Sequence, residues 1–158
     1  MRFSSIILGA VTAISFSSSV IAAPSPHASR GSANIREIFD DFVKQFYVER
    51  DFAGAADKYI AANLIQHNPQ IANGRDAEVA AVNKIFPNYD GPNFELSLVD
   101  EQRGYGIAFN RFVGKPGSGL PLTVVVDIYR FEGCLMVEHW DAIETLPANS
   151  TNPDPFRR

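Results

Sequence analysis

Residues 124–141 constrain the fold of this chain most, because they have the pattern of two strands joined by a tight turn. In the first strand, alternation places Asp127 and Tyr129 on one face. In the second strand, His139 and Asp141 lie two residues apart and therefore share a face. A carboxylate between apolar neighbours is costly to bury unless it is paired, holds a ligand or takes part in catalysis. The pattern therefore predicts a polar patch inside an apolar cavity.

The N-terminal residues 1–22 have the layout of a secretory signal peptide, with Arg2, an apolar run, a serine cluster and small residues up to Ala22. The run is too short and too rich in serine for a membrane span, so we expect a secreted protein that does not enter the membrane. Loss of Arg2 with the signal changes the formal net charge from -4 to -5. A mildly acidic chain without a basic cluster is a poor candidate for a nucleic-acid binder.

The remaining chain has the length of one domain with a single hydrophobic core. Residues 23–33 are rich in Pro, Ser and Ala and predict a flexible leader, residues 34–145 form the domain, and residues 146–158 form an irregular tail. Cys134 is the only cysteine, so it is either an unpaired thiol or part of a bridge between two chains. Asn149 begins a triplet that matches an N-glycosylation acceptor.

Three helices are predicted in the first half of the domain. Asn34 is a candidate N-cap for a helix with a wide aromatic stripe, and Asp51 is a candidate N-cap for a second, shorter helix whose buried face ends at Ile60. Gly74 precedes the third helix, which Pro87 is expected to end.

Strands are predicted mainly in the second half. Alternation indicates strands within residues 94–98, 105–109 and the 124–141 hairpin, and a short strand is expected earlier at residues 64–67. Helices followed by antiparallel strands form the α+β pattern, in which the helices cover one face of a curved sheet. Since the strands are apolar on both faces, we expect the other face to meet a second copy in a homodimer.

Two segments resemble the SnoaL-like polyketide cyclase domains of the nuclear transport factor 2-like superfamily. Asp127-Ile128-Tyr129-Arg130-Phe131 followed by Val137-Glu138-His139-Trp140-Asp141 is similar to their closing hairpin. Gln66-His67-Asn68-Pro69 with Gly74 is similar to their first short strand and the turn into their third helix. The order of elements agrees over residues 34–145. The resemblance implies a cone-shaped fold in which a curved antiparallel sheet wraps the N-terminal helices around an internal pocket.

The resemblance also implies a pocket for a small, apolar, oxygenated molecule. Members of the superfamily include cofactor-independent cyclases, isomerases and dehydratases that act next to a carbonyl, as well as non-catalytic binding proteins. A non-catalytic extracellular small-molecule binding protein is therefore the alternative function. Asp127 is similar in position to the acid that donates to the oxyanion in ketosteroid isomerases, and Asp141 to the acid/base carboxylate of the cyclases. Asn68 stands near the position of the ketosteroid isomerase base, and an amide cannot abstract a proton.

The predicted catalytic residues are Asp127, His139, Asp141 and His67. Asp141 beside His139 would transfer protons, because an imidazole titrates near neutral pH. Asp127, buried and protonated, would donate to the substrate oxyanion. His67 would enter from the opposite wall as a second proton-transfer group. This chemistry requires no metal or other cofactor, and we predict none.

Structural roles are the alternative for these residues. Asp127 could pair with Arg130, and His139 could simply bond Asp141. The hairpin register is also open, because the turn at residues 133–134 departs from the pattern of the resembling domains. A shift of one residue would turn His139 away from the cavity and bring in Glu138 and Trp140, which are otherwise expected to pair with a basic neighbour and to pack in the core.

A metal site is the remaining alternative, with His67, His139 and Asp141 as a two-histidine, one-carboxylate set. Nothing in the sequence matches a phosphate-binding loop, a dinucleotide fingerprint or a nucleophile elbow.

Overall fold

The computed structural model describes residues 34–91, 93–152 and 155–156. The predicted signal peptide and leader, residues 1–22 and 23–33, lie outside these residues. Across the described ranges, no helix is both long enough and apolar enough to cross a membrane.

The three helices begin where the sequence predicted, and side-chain capping accounts for the first two. They are α1 (Ile35–Val43), α2 (Phe52–Tyr59) and α3 (Arg75–Ile85). A π-helical turn, Lys44–Val48, continues α1, and a 3-10 turn, Phe86–Asn88, continues α3. The Asn34 side chain accepts a hydrogen bond from the Glu37 amide at 3.2 Å, and Asp51 accepts one from the Gly54 amide at 3.0 Å. Both predicted N-caps are confirmed.

Six strands form one curved, unclosed sheet. They are β1 (Ile60–Gln66), β2 (Tyr89–Asp90), β3 (Phe94–Asp100), β4 (Tyr105–Gly114), β5 (Thr123–Glu132) and β6 (Leu135–Thr145). The order is β1-β6-β5-β4-β2, and β3 also pairs with β4. The α+β class is confirmed, but the expectation of a wholly antiparallel sheet is wrong, because β1 runs parallel to β6. Ile60 is extended rather than helical, since it opens β1 opposite Met136.

The β5–β6 register decides which side chains face the helices. Asp127 lies opposite Asp141, and Tyr129 lies opposite His139, so all four project from one face. This face, covered by the helices, is the inner face of the sheet. An irregularity in the pairing between Arg130 and its neighbour in β5 shifts β6 by one residue. The register predicted to turn His139 and Asp141 inward is therefore confirmed.

The hydrophobic core lies between the helices and the inner face. Phe39, Phe42 and Phe46 from α1 and the π-helical turn are almost fully buried, and Phe39 and Phe42 both contact the Tyr129 ring. Gly106 in β4 permits this packing, because a Cβ there would come within 2.7 Å of the Phe39 ring. The opposite, outer face carries Leu96, Phe109, Val124 and Val126, which line a shallow groove of about 700 Å³ together with Phe156.

Candidate functional site

A cavity of about 250 Å³ lies between the inner face of the sheet, the π-helical turn and α3. Its apolar wall includes Phe46, Val82, Phe86, Tyr89, Phe112 and Val125. Its polar end is formed by Tyr47, Asn68, Glu78, Asp127, His139 and Asp141. A few polar groups at one end of an apolar cavity are the usual composition of a small-molecule site.

Asp127 is 6% exposed, and its carboxyl group is held by three side chains. Tyr47 Oη donates to Oδ2 at 2.9 Å, and Asn110 Nδ2 donates to the same oxygen at 2.7 Å. His139 Nε2 lies 3.0 Å from Oδ1. The Tyr129 hydroxyl lies 2.8 Å from the Tyr47 hydroxyl, which extends the chain of hydrogen bonds behind Asp127. A buried carboxyl with this many partners is anchored in a single orientation.

The expected alternative partner of Asp127, Arg130, lies on the outer face. Its guanidinium binds Glu138 at 2.8 Å and Glu132 at 2.9 Å. Glu138 therefore pairs with a basic neighbour, as predicted.

His139 is 2% exposed and is held on both ring nitrogens. Nε2 bonds Asp127, while Nδ1 lies 2.9 Å from Gln66 Nε2 and 3.1 Å from Gln66 Oε1. Gln66 Nε2 also donates to Glu78 Oε2 at 2.6 Å. Since the amide presents both its nitrogen and its oxygen to Nδ1, it can donate to the neutral imidazole or accept from the charged one. The ring itself stacks on Tyr129 at 4.5 Å.

The charges around His139 act on its pKa in opposite directions. Burial lowers the pKa, but the hydrogen bond and charge of Asp127, together with the charges of Glu78 and Asp141, outweigh burial and raise it above 6.5. Burial raises the pKa of Glu78, against the opposing charge of His139. Burial also raises the pKa values of Tyr47 and Tyr129 well above 10, so both hydroxyls keep their protons at neutral pH.

Asp141 lies on β6 opposite Asp127 and is only half-buried. Its Oδ2 accepts a hydrogen bond from Asn68 Nδ2 at 2.5 Å. Asn68 is itself held by its neighbours. Its Oδ1 accepts from the backbone N–H of Gln70, and its own backbone N–H donates to Gln66 Oε1. The loop after β1 thus positions a partly accessible carboxylate at the polar end of the cavity.

His67 does not reach the cavity. It is exposed, and its ring stacks on Trp140 with centroids 4.4 Å apart and planes 2° from parallel. Gln66 pairs with His139 on the inner face, so the next residue, His67, projects to the other side. The expected position of His67 on the cavity wall is therefore wrong, as is the core position expected for Trp140.

The sequence has no match among family models and none among curated proteins. Solved structures do match. A steroid delta-isomerase from Pseudomonas aeruginosa is 12% identical, with a TM-score of 0.57 over 73% of this chain and 82% of that chain. A protein assigned as a SnoaL-like polyketide cyclase from Mesorhizobium loti is 19% identical, with a TM-score of 0.52 over 70% and 99%. One assigned as a polyketide cyclase from Acidithiobacillus ferrooxidans is 16% identical, with a TM-score of 0.52 over 73% and 92%.

The chain has the SnoaL-like fold. The likeness confirms the resemblance seen in the hairpin at the level of fold, and a fold of this kind hosts several unrelated activities. The chemistry therefore depends on the side chains of the cavity.

Five residues of the hydrogen-bond network around Asp127 and His139 were not among the predicted site residues. They are Tyr47, Gln66, Glu78, Asn110 and Tyr129. Tyr47 has a signal in the sequence, because a tyrosine in a buried aromatic stripe needs a partner for its hydroxyl. Glu78 has a weaker one, since it lies one helical turn before the buried Val82. Nothing local identifies Asn110 or Gln66 as partners of the site.

The possible metal ligands also differ from those predicted. His67 is outside the cavity, whereas Asp127, His139 and Asp141 each offer a ligand atom, and these atoms lie within 4.8 Å of one another. A divalent cation would compete there with the 3.0 Å hydrogen bond between Asp127 and His139. The prediction that no metal is needed stays a prediction.

Proposed function

We propose that this protein binds a small, largely apolar, oxygenated molecule in the cavity and moves a proton next to its carbonyl group without a bound cofactor. The observation that carries the proposal is the buried Asp127–His139 pair at 3.0 Å, which lies beside Asp141 at the polar end of an apolar cavity. Groups of this kind, with a raised imidazole pKa, are typical of acid–base sites. The activity would be that of a cyclase, isomerase or dehydratase.

Asp141 is the best placed general base, because its carboxylate is partly accessible and held by Asn68. It takes the proton from the carbon next to the carbonyl, the electron pair of the broken C–H bond forms a C=C bond, and the π pair of the C=O bond moves to the oxygen. The protonated imidazole of His139 stabilises the resulting negative charge, and the Tyr47 hydroxyl can rotate from Asp127 to that oxygen. Return of the proton to a different carbon completes an isomerisation. In a dehydration, the enolate electrons return from the oxygen, the C–O bond of a hydroxyl on the next carbon breaks, and the hydroxyl leaves as water with the proton held by Asp141.

The contacts favour an anchoring role for Asp127 over its predicted role as oxyanion donor. Tyr47 and Asn110 both donate to Asp127, so the carboxyl group is an acceptor in this arrangement. The donor role stays a prediction, and Asp127→Asn separates the two roles. Asn can still donate to an oxyanion but cannot accept on both of the oxygens that anchor Asp127, so a large loss of rate without weaker substrate binding favours the anchoring role and a rate near that of the wild type favours the donor role.

Deuterium exchange tests the proposed step without knowledge of the full reaction. Aromatic ketones and lactones are incubated with the protein in deuterated buffer containing a chelator, and exchange next to the carbonyl is followed by NMR. We expect Asp141→Asn to slow exchange by about 10²- to 10⁴-fold. Glu144→Gln removes the same charge from the outer face of the same strand and serves as the matched control. Equal rates in the two variants, or no exchange with any ketone, would contradict the proposal.

A non-catalytic binding protein is the second candidate. It is supported by the hydrogen bonds of Asp127 and His139, which are made within the protein without any ligand. The partners are Tyr47, Asn110 and Gln66, and Gln66 in turn donates to Glu78. Mass spectrometry of small molecules retained by the purified protein tests this function. Retained ligand that is released unchanged, with no exchange in deuterated buffer, would favour the carrier.

We also propose that the protein is a secreted homodimer. Leu98 on the outer face of the sheet is 59% exposed, and the neighbouring groove is lined by Leu96, Phe109 and Val126. An exposed apolar sheet face of this kind favours association with a second copy. Analytical ultracentrifugation of the wild type and Leu98→Glu tests the dimer, with a monomeric wild type as the contrary result. N-terminal sequencing of protein recovered from the medium tests cleavage after residue 22.

A further inference from the structure

We infer that the cavity selects its ligand by charge, and that it takes a compact organic cation, an ammonium compound, in preference to a neutral or anionic molecule of the same shape. The inference rests on the proposed function in one respect, namely that the cavity is a ligand site. It adds the charge of the ligand, which the fold alone leaves open.

The cavity lining carries more acidic than basic side chains. Three carboxyl groups, those of Glu78, Asp127 and Asp141, face one imidazole, that of His139. Nε2 of the imidazole bonds Asp127, and Nδ1 lies 3.8 Å from Glu78. Among the described residues that line the cavity, none is lysine or arginine. A single imidazole cannot pair with all three carboxyl groups, so the lining is acidic on balance and a cationic ligand reduces that excess.

The cavity lining also offers more free hydrogen-bond acceptors than free donors. Tyr47 donates to Asp127, Thr123 donates to a backbone carbonyl, and Asn68 donates to Asp141. Without a ligand, these donors are thus used within the protein, and the Tyr47 hydroxyl can reach a ligand only by giving up its bond to Asp127. A carboxylate offers about four acceptor positions, and the Asn68 contact uses one of those on Asp141. A ligand that brings N–H donors therefore finds free acceptors, whereas a carboxylate ligand finds few free donors.

The apolar wall of the cavity is largely aromatic. The rings of Phe46, Phe86, Tyr89 and Phe112 also line the cavity. The Arg50 guanidinium already lies 5.6 Å from the centroid of Phe86, so the other three rings are the ones available to a ligand cation. Aromatic ring faces attract cations, and this attraction grows when water is excluded. An anion would instead be desolvated next to carboxylates, which is strongly unfavourable. The cavity, at about 250 Å³, is larger than the roughly 150 Å³ of a cavity that holds benzene. We therefore expect a ligand about the size of a bicyclic ring system.

Three indanes that differ only in the group on one ring carbon provide a direct test. Binding of the amine, the alcohol and the carboxylate is measured by isothermal titration calorimetry near neutral pH. We expect the amine to bind about tenfold more tightly than the alcohol, which corresponds to a modest cation–π and charge contribution. The carboxylate should bind more weakly than the alcohol.

Variants separate a local charge effect from the net charge of the protein. Asp141→Asn should reduce amine affinity by about tenfold and change alcohol affinity by less than about twofold. Glu144→Gln, which removes a charge from the outer face, should change neither. If Asp141→Asn does not fold, Glu78→Gln provides the same comparison within the cavity.

The inference is overturned if the alcohol binds as tightly as the amine, if no indane binds, or if Glu144→Gln weakens the amine as much as the cavity variant does. These outcomes are distinct from failure of the proposed function. The indanes used for binding have no carbonyl that activates a neighbouring proton, whereas the proposed function is read from deuterium uptake by ketones.

Discussion

Tyr47→Phe tests whether the hydrogen-bond network holds the first helical segment on the sheet. The Tyr47 hydroxyl, at the end of the π-helical turn, donates to Asp127 at 2.9 Å and lies 2.8 Å from the Tyr129 hydroxyl. Both tyrosines are almost completely buried, so water cannot replace the missing hydroxyl. The change removes one oxygen and retains the ring that packs on Phe42.

The expected magnitude follows from the partners that are lost. Tyr47→Phe removes a hydrogen bond to a carboxyl group, worth about 1.5–3 kcal/mol, and leaves the Tyr129 hydroxyl without its partner, which costs about 1–3 kcal/mol more. We expect the free energy of unfolding to fall by about 3 kcal/mol. Tyr129→Phe removes one neutral hydrogen bond and leaves the Asp127 contact intact, so about 1 kcal/mol is expected. The double variant should lose about 2 kcal/mol, because no hydroxyl is then left without a partner.

Urea denaturation, followed by circular dichroism, measures these free energies, with unchanged slopes as the sign of an unchanged unfolding transition. The double-mutant cycle should give a coupling of about 2 kcal/mol between the two hydroxyls. Equal effects of the single variants that add in the double variant would refute the chain of hydrogen bonds from Tyr129 through Tyr47 to Asp127.

Three further predictions concern the neighbours of the network. The raised pKa values of Glu78 and His139 mean that these two groups bind more protons in the folded protein than in the unfolded chain. The stability that they contribute should be present at acid pH and should decrease as the pH rises from about 4.5 through the raised pKa of His139, above 6.5. Denaturation across this interval should show the decline, and a rise in stability would contradict it. Gln66→Leu leaves His139 Nδ1 and a Glu78 oxygen without their amide partner, and should lower the free energy of unfolding by about 2–3 kcal/mol in the same assay, whereas a loss near zero would show that the amide does not hold the pair. His67→Ala should change the fluorescence of Trp140, the only tryptophan, while changing the exchange rate of bound ketones by less than about twofold, and a large loss of exchange would return His67 to the site.

Local chemistry was sufficient to predict where the helices begin. Asn34 and Asp51 each accept a hydrogen bond from an amide three residues on, and this geometry depends only on neighbouring backbone. Alternation also predicted strands β3 to β6, since side chains point to opposite faces in any extended segment. The bounds of β1 were less predictable, because its pairing with β6 involves residues more than 70 positions away.

The inward aim of His139 is the point at which local patterns stop being sufficient. Counted from the turn, Met136 pairs with Phe131 on the inner face, and strict alternation would then bring Glu138 and Trp140 inward. The register shift beyond Phe131 inserts one residue in β6 and turns His139 and Asp141 inward instead. The resemblance favoured this outcome, but a bulge has no reliable signature in a single strand.

Taken by itself, the sequence determined the helix starts, the alternation of the strands and the presence of an acid–imidazole pair in one hairpin, because these depend on residues within a few positions of one another. Tertiary structure decided the parallel pairing of β1, the outward position of His67 and the choice of Tyr47, Asn110 and Gln66 as partners of the buried pair. These contacts join distant parts of the chain. Their formation depends on how the whole sheet packs against the helices, which no local pattern encodes.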